Sequence, residues 1–213
     1  MIHYGKRVWA LSIVLAALAG FADGVGYLEL GGFFVSFMTG NSTRLGVGMA
    51  TAVPDAALAG AMIALFIFGV MIGTMVGTMT RSNRASLVIV TLLLAAAAMF
   101  DRYGYSHTGV ALMVLAMGAE NTVFQRRGEV SIGLTYMTGT LVKVGQRLGD
   151  MLMGGPRGSW LPYALLWLGL VAGALLGAAC YHRFGMQSLW IAAAVSLIAT
   201  VWAWTVDLGE HAA

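Results

Sequence analysis

Six stretches of this chain are apolar for as long, or nearly as long, as a helix needs to cross a bilayer, and little else that could fold in water is left between them. They run over about Val8–Leu28, Ala57–Met79, Ser86–Phe100, Thr108–Phe124, Leu161–Tyr181 and Ser188–Val206. A span takes about 20 apolar residues, with a working range of roughly 17 to 25. The third stretch is short and must borrow Ala85 or Tyr103–Tyr105 at its ends. Composition agrees: 59% of the 213 residues are hydrophobic and 10% charged, where a soluble domain carries about 25% charged residues. So few charges cannot cover a water-facing surface, and most of the exterior must face lipid. The expected fold is an all-α integral membrane protein forming a single membrane domain.

The net charge of +3 does not point to nucleic acid, because the basic residues stand singly or in pairs at the ends of apolar stretches, where they fix orientation across a membrane. The lone Cys180 lies inside an apolar run; it can form no intrachain disulfide and reads as a small packing residue. Lys6 and Arg7 ahead of an apolar run resemble the start of a secretory signal. Gly20 and Asp23 have internal counterparts further along the chain, however, so this run reads as the first membrane helix.

Two more polar, glycine-rich segments, Gly31–Val53 and Gly128–Gly155, separate the stretches and reveal a duplication. Phe37-Met38-Thr39-Gly40-Asn41 matches Tyr136-Met137-Thr138-Gly139-Thr140, and Gly20-Phe21-Ala22-Asp23 matches Gly118-Ala119-Glu120-Asn121. Arg44-Leu45-Gly46 matches Lys143-Val144-Gly145, and Gly69, Gly73 and Gly77 match Gly169, Gly173 and Gly177, all at offsets of 98 to 100 residues. Each repeat, about 1–103 and about 104–213, is then helix, polar motif segment, helix, helix. Three spans per unit insert the second copy upside down, as in many transporters.

With a cytoplasmic N-terminus and motif segments that do not cross, Lys6, Arg7, Arg81, Arg84, Arg126, Arg127, Lys143, Arg147 and Arg157 fall inside and Arg44, Arg102 and Arg183 outside, the bias that topology follows. The alternative is eight spans with parallel repeats, in which both motif segments cross and the bias nearly vanishes.

The motif segments carry the candidate chemistry. Glycines weaken helix continuity there while Thr39, Asn41, Thr138 and Thr140 supply polar groups, and irregular backbone at membrane depth is tolerated only where protein or water satisfies it. A hairpin or broken helix at this point offers a solute site; a plain turn with Thr and Asn as helix caps is the competing account. Asp23 lies ~22 Å along the first helix at ~1.5 Å per residue, where an acid by default marks a proton, ion or substrate path. The second repeat has Asn121 at that place with Glu120 beside it. If instead Gly24 and Gly26 end the helix early, Asp23 is a solvated cap. Glu29 reads as an interfacial charge. Arg44 and Lys143, equivalent in the repeats, either neutralise these acids, attract an anion or snorkel to water.

The ladders Gly69, Gly73, Gly77 and Gly169, Gly173, Gly177 put small residues on one helix face, which lets backbones approach closely. They are expected to pack against each other at the pseudo-twofold or against a second protomer, which makes a homodimer a candidate. There is no phosphate-binding loop, HExxH or CxxC. The four histidines, His3, His107, His182 and His211, are scattered over predicted membrane ends. No cofactor, metal site or enzymatic role is expected.

Gly20–Asp23 followed by Met38-Thr39-Gly40-Asn41 resembles the YoaK-like family of small bacterial membrane proteins, over nearly the whole chain. The second half departs from the motif, with Thr140 in place of Asn. The resemblance implies a multi-pass inner-membrane location and no particular activity. The residues themselves favour a small secondary transporter or channel for a polar small solute, with a proton as candidate coupling ion and the path between the repeats. The alternatives are a membrane scaffold or regulator that binds a partner through the glycine ladders, and an intramembrane enzyme, for which no nucleophile–base pair is evident.

Overall fold

The computed structural model describes residues 5–126 and 129–206; Arg127, His3 and His211 lie outside the described residues. The helices are α1 (Lys6–Glu29), α2 (Met38–Thr51), α3 (Val53–Thr80), α4 (Arg84–Arg102), α5 (Ser106–Glu120), α6 (Met137–Leu152), α7 (Leu161–Phe184) and α8 (Leu189–Ala203). The all-α expectation holds apart from a two-residue antiparallel ladder, β1 (Gln125–Arg126) with β2 (Glu129–Val130). Four runs are long and apolar enough to cross a membrane: Lys6–Glu29, Val53–Thr80, Arg84–Arg102 and Leu161–Ala203. The last joins α7 to α8 through a short turn at Gly185, whose φ of +57° only glycine adopts without strain.

Local chemistry sets the ends. Pro54 and Asp55 occupy the first turn of α3, where a missing N–H costs nothing and a negative charge meets the positive end of the helix dipole. α1 does not stop at Gly24 or Gly26. It runs on to Glu29 and closes with the Gly32 amide donating to the Tyr27 carbonyl at 2.7 Å and the Leu30 amide to Gly26 at 2.9 Å. Gly31 and Gly32 both have positive φ there, the glycine-dependent C-terminal motif that turns the chain back.

Close contacts at glycines fix the relative directions of two helix pairs. α1 and α7 run parallel: Ile13 faces Gly169, Ala17 faces Gly173 and Phe21 faces Gly177. α3 and α5 also run parallel, with Leu115 against Gly69 and Ala119 against Gly73. The ladders therefore do not pack against one another; each is covered by a helix of the other half of the chain. A methyl group at Gly173 would fall onto the Ala17 carbonyl oxygen, and one at Gly69 onto that of Leu115. Gly77 differs from its two companions, because its neighbour is Asn83 in the α3–α4 turn.

Hydroxyls tie the remaining joints. Ser86 donates to the Gly73 carbonyl at 3.1 Å and Thr122 to Ser86 at 2.9 Å, linking α3, α4 and the end of α5. Thr91 on α4 lies 2.8 Å from Ser196 on α8. α1 is the central helix, with Leu11, Leu15, Ala19, Ala22 and Val25 wholly buried. The outer faces of α3 and α8 instead expose Ile67, Phe68, Met71, Leu197, Ile198 and Val201. Apolar faces of this extent on every outer helix suit contact with lipid tails rather than water.

Candidate functional site

After Gly32 the chain folds back along α1 as a non-helical segment and meets Asp23. The carboxylate, 7% exposed, accepts the Val35 amide at 2.8 Å and the Ser36 amide at 2.7 Å through Oδ1, and the Ser36 hydroxyl at 2.5 Å through Oδ2. Asp23 thus holds a returning segment whose backbone would otherwise be unsatisfied in an apolar interior. Three residues on, α2 begins. Its Arg44 lies over the Phe33 ring at 4.4 Å and beside Gly32, so α2 leads back toward the end from which the segment entered.

The second half repeats the arrangement with different atoms. Asn121 accepts the Thr135 hydroxyl at 3.1 Å and donates to the Met117 carbonyl at 2.9 Å. α6 then starts at Met137, and its Lys143 stands over the Tyr163 ring at 5.6 Å, near the start of α7. The two motif segments share one local form. Each is an extended return followed by a half-helix, with the shared motif as the first helical turn.

The residues preceding those turns are Phe37 and Tyr136, and neither half-helix has a side-chain cap. An uncapped N-terminus keeps a partial positive charge and amide donors. The starts of the two helices meet at two cavities, of about 480 and 230 Å³: Met38 and Thr39 of α2 line the smaller, and Met137 and Thr138 of α6 line both. Ser36, Phe37, Thr135, Met137 and Thr138 line both. Asp23 forms part of the wall of the larger one, whose other walls are mostly apolar, including Tyr27, Phe34, Leu141 and Leu170.

The sequence-predicted site residues are thus divided. Asp23, Thr39 and Thr138 reach the cavities. Asn41 does not line either one: its amide accepts the Phe34 N–H at 3.1 Å and donates to the Phe34 carbonyl at 2.7 Å, closing the return segment as a backbone partner would. Thr140, in the equivalent place, donates only to the Tyr136 carbonyl of its own helix at 3.1 Å. Arg44 and Lys143 rest on aromatic rings and pair with neither acid. Glu120 is fully buried and its two carboxylate oxygens have no hydrogen-bond partner. It lines neither cavity. Glu29, at the end of α1, accepts the Tyr181 hydroxyl at 2.8 Å.

Ser36 and Thr135 were not singled out from the sequence. The signal was present, since both immediately precede the aromatic-Met-Thr-Gly motif at the same offset of 99 residues. What the sequence does not carry is that their hydroxyls meet Asp23 and Asn121.

Comparison with known proteins places the chain. Residues 11–202 match the family described as "Protein of unknown function (DUF1275)". A UPF0700 transmembrane protein, RA0705, of Rhizobium meliloti is 34% identical over 204 residues, covering 92% of this chain and 86% of its own length. The UPF0700 transmembrane protein YoaK of Bacillus subtilis is 33% identical over 142 residues, covering 62% of this chain and 63% of its own length. No solved structure matches. An apolar bundle with lipid-suited outer faces, matched over nearly its whole length to transmembrane relatives, belongs to the DUF1275 family of transmembrane proteins, the YoaK-like family its motifs resemble.

Proposed function

We propose that this chain is a small secondary transporter or channel, set in a bacterial cytoplasmic membrane with its N-terminus inside, whose path runs between two inverted repeats. The observation that carries this reading is the meeting of the uncapped starts of α2 and α6 at one place, where Phe37, just before α2, and Met137 and Thr138, in the first turn of α6, line both cavities. Half-helices that end near the middle of a membrane bundle present backbone donors and a positive dipole end to a solute, a construction that transporters use. The lining narrows the solute class. Apolar walls with Asp23, Ser36, Thr135 and Thr138 as the polar groups suit a small molecule with an apolar body and a polar end. Donors from two helix starts favour an acceptor group, such as a carbonyl or carboxylate, at that end.

The directions in which the helices pack support the same reading. α1 parallel to α7 and α3 parallel to α5 pair the first helix of each repeat with the glycine ladder of the other, as an inverted duplication would. The competing scaffold reading needs the ladder faces free for a partner, and α1 and α5 cover them; it is not carried further.

The test is flux into proteoliposomes of the purified chain, with a panel of labelled small acids, amides and polyols. Uptake above that of empty vesicles is expected for at least one acid or amide. Thr138→Phe, which fills space common to both cavities, is expected to abolish it while the protein remains folded. A panel with no uptake, or uptake indifferent to Thr138→Phe, would remove this reading.

A further inference from the structure

Among the described residues, Glu120 is the buried acid whose carboxylate has no partner. Asp23 has three donors, Glu29 has Tyr181, Asp101 accepts Ser106 at 2.7 Å and Gln187 at 2.7 Å, and Asp150 lies 3.5 Å from Arg147. Glu120 is fully buried at the end of α5, and neither carboxylate oxygen has a partner. Met117, Ala119 and Val123 near it in the chain are buried and apolar, and the polar side chains that follow it, Asn121 and Thr122, bond to other partners. An isolated carboxylate anion is not sustained in such surroundings without an accompanying positive charge.

Three companions are conceivable. The first is a basic side chain, and among the described residues none bonds to the Glu120 carboxylate. Asp23 on α1, the other acid buried in this interior, has no positive charge to offer. The other helices packed on α5 are α3 and α4: Asp55, Asp101 and Arg102 stand in terminal turns of these, and Arg84, at the start of α4, is directed to the Val206 carbonyl at 3.0 Å. His107 is at the opposite end of α5. The second is a metal cation, which needs several oxygen ligands at once. Among the described residues no group of three His, Cys, Asp or Glu could hold one. The third, a proton, needs no ligand beyond one carboxylate oxygen.

We infer that Glu120 is a proton-binding site, occupied in the conformation described here, and that Asp23 is a latch rather than a second carrier. This separates two acids that sequence position makes look alike: the one with donors positions the backbone, and the one without holds the proton. Resting on the transport reading, a consequence follows for coupling. Glu120 lies outside the walls of both cavities, so its proton is sealed from the solute, and release requires the end of α5 to move. Asn121, the next residue, is joined to Thr135, a residue that does line both cavities. Movement of the second return segment would thus reach the proton site through one hydrogen bond.

The site is tested without any solute, by infrared spectroscopy of the full chain in dodecyl maltoside, which has no carbonyl of its own. At neutral pH the wild type should show a protonated carboxylic-acid C=O band that exchanges slowly in D2O. Confining 13C to glutamate side chains should shift that band, a result that needs no substitution. It should be absent from Glu120→Gln and retained in Asp23→Asn and Glu29→Gln. The inference is overturned if the wild type has no such band at neutral pH, if glutamate labelling leaves it in place, or if Glu120→Gln keeps it. If the band behaves as expected while the proteoliposomes carry no solute, the transport reading fails and the proton site stands. Solute uptake without the band would sink this inference alone.

Discussion

Asp23 and Ser36, thirteen residues apart, are joined by a hydroxyl–carboxylate hydrogen bond of 2.5 Å, and the same carboxylate takes the Ser36 amide at 2.7 Å. That double contact fixes how far the first return segment penetrates along α1, and therefore where α2 begins. Asp23→Asn removes the charge and turns one acceptor into a donor facing donors. It should destabilise the protein by about 1–3 kcal/mol, the range for losing hydrogen bonds to a buried charged group. Ser36→Ala should cost less, because the backbone donors remain. Thermal unfolding in detergent of both single variants and the double variant should show coupling of at least about 0.5 kcal/mol. Strict additivity would mean that the two residues do not act together.

The two copies of the motif should respond unequally. Asn41 serves both the N–H and the C=O of Phe34, so Asn41→Ala leaves two buried backbone groups unsatisfied and should cost roughly 1–3 kcal/mol. Thr140 donates to a carbonyl four residues back in its own helix, a bond whose loss leaves nothing orphaned. Thr140→Ala should change stability by no more than about 0.5 kcal/mol, the usual bound for sites away from such features. Equal effects in a melting comparison would contradict the clamp assigned to Asn41.

This asymmetry marks how far the sequence can be read. The long apolar runs were legible because hydrophobic length is itself the signal, and α1, α3, α4 and α7 lie close to their expected bounds. The fourth stretch was drawn through Phe124, but α5 ends at Glu120. Residues Asn121 to Phe124 continue the apolar run in sequence, while in the structure they form a turn whose Asn121 is tied to the Thr135 hydroxyl, fourteen positions away. The glycine ladders announced a close backbone contact but not its partner, since small-residue spacing describes one face and is silent on what meets it. Asn41 stood out as polar in an apolar setting; that its partner is the Phe34 backbone, and not a solute, is a matter of tertiary geometry.

The ladders give a sharper test because the chain supplies its own controls. Gly173→Ala would place a methyl on the Ala17 carbonyl oxygen, and Gly118→Ala one on that of Phe66. Helix backbones must then separate, and each variant should lose about 1–3 kcal/mol, the usual cost of overpacking. Gly145 and Gly149 on α6 have nothing within 4 Å of where a Cβ would stand. There the change to Ala should be neutral or stabilising by up to about 1 kcal/mol, from helix propensity alone. A loss at Gly145 as large as at Gly173 would show that α6 is covered by something in the assembled protein.

The last prediction concerns how the bundle sits in the membrane. Gly32 beside Arg44 and Tyr181 on Glu29 gather the finish of α1, the finish of α7 and the body of α2 at one end. Arg84 donating to the Val206 carbonyl and Asn83 to the Gln125 carbonyl gather the end of α3, the start of α4 and the chain beyond α8 at the other. The second end holds Arg81 and Arg84, and the α6–α7 connection with Arg157 joins it through Lys143 over Tyr163. Basic residues collect on the cytoplasmic side, so single cysteines on a Cys180→Ala background should divide cleanly in intact cells. Positions 44 and 183 should react with an impermeant maleimide from outside, and positions 81 and 157 only after the membrane is opened. Labelling from outside at both 81 and 183 but not at 157 would require the motif segments to cross fully, which a half-helix of 14 residues, about 21 Å at ~1.5 Å per residue, is too short to do. That outcome would overturn the inverted arrangement and, with it, the site between opposed half-helices.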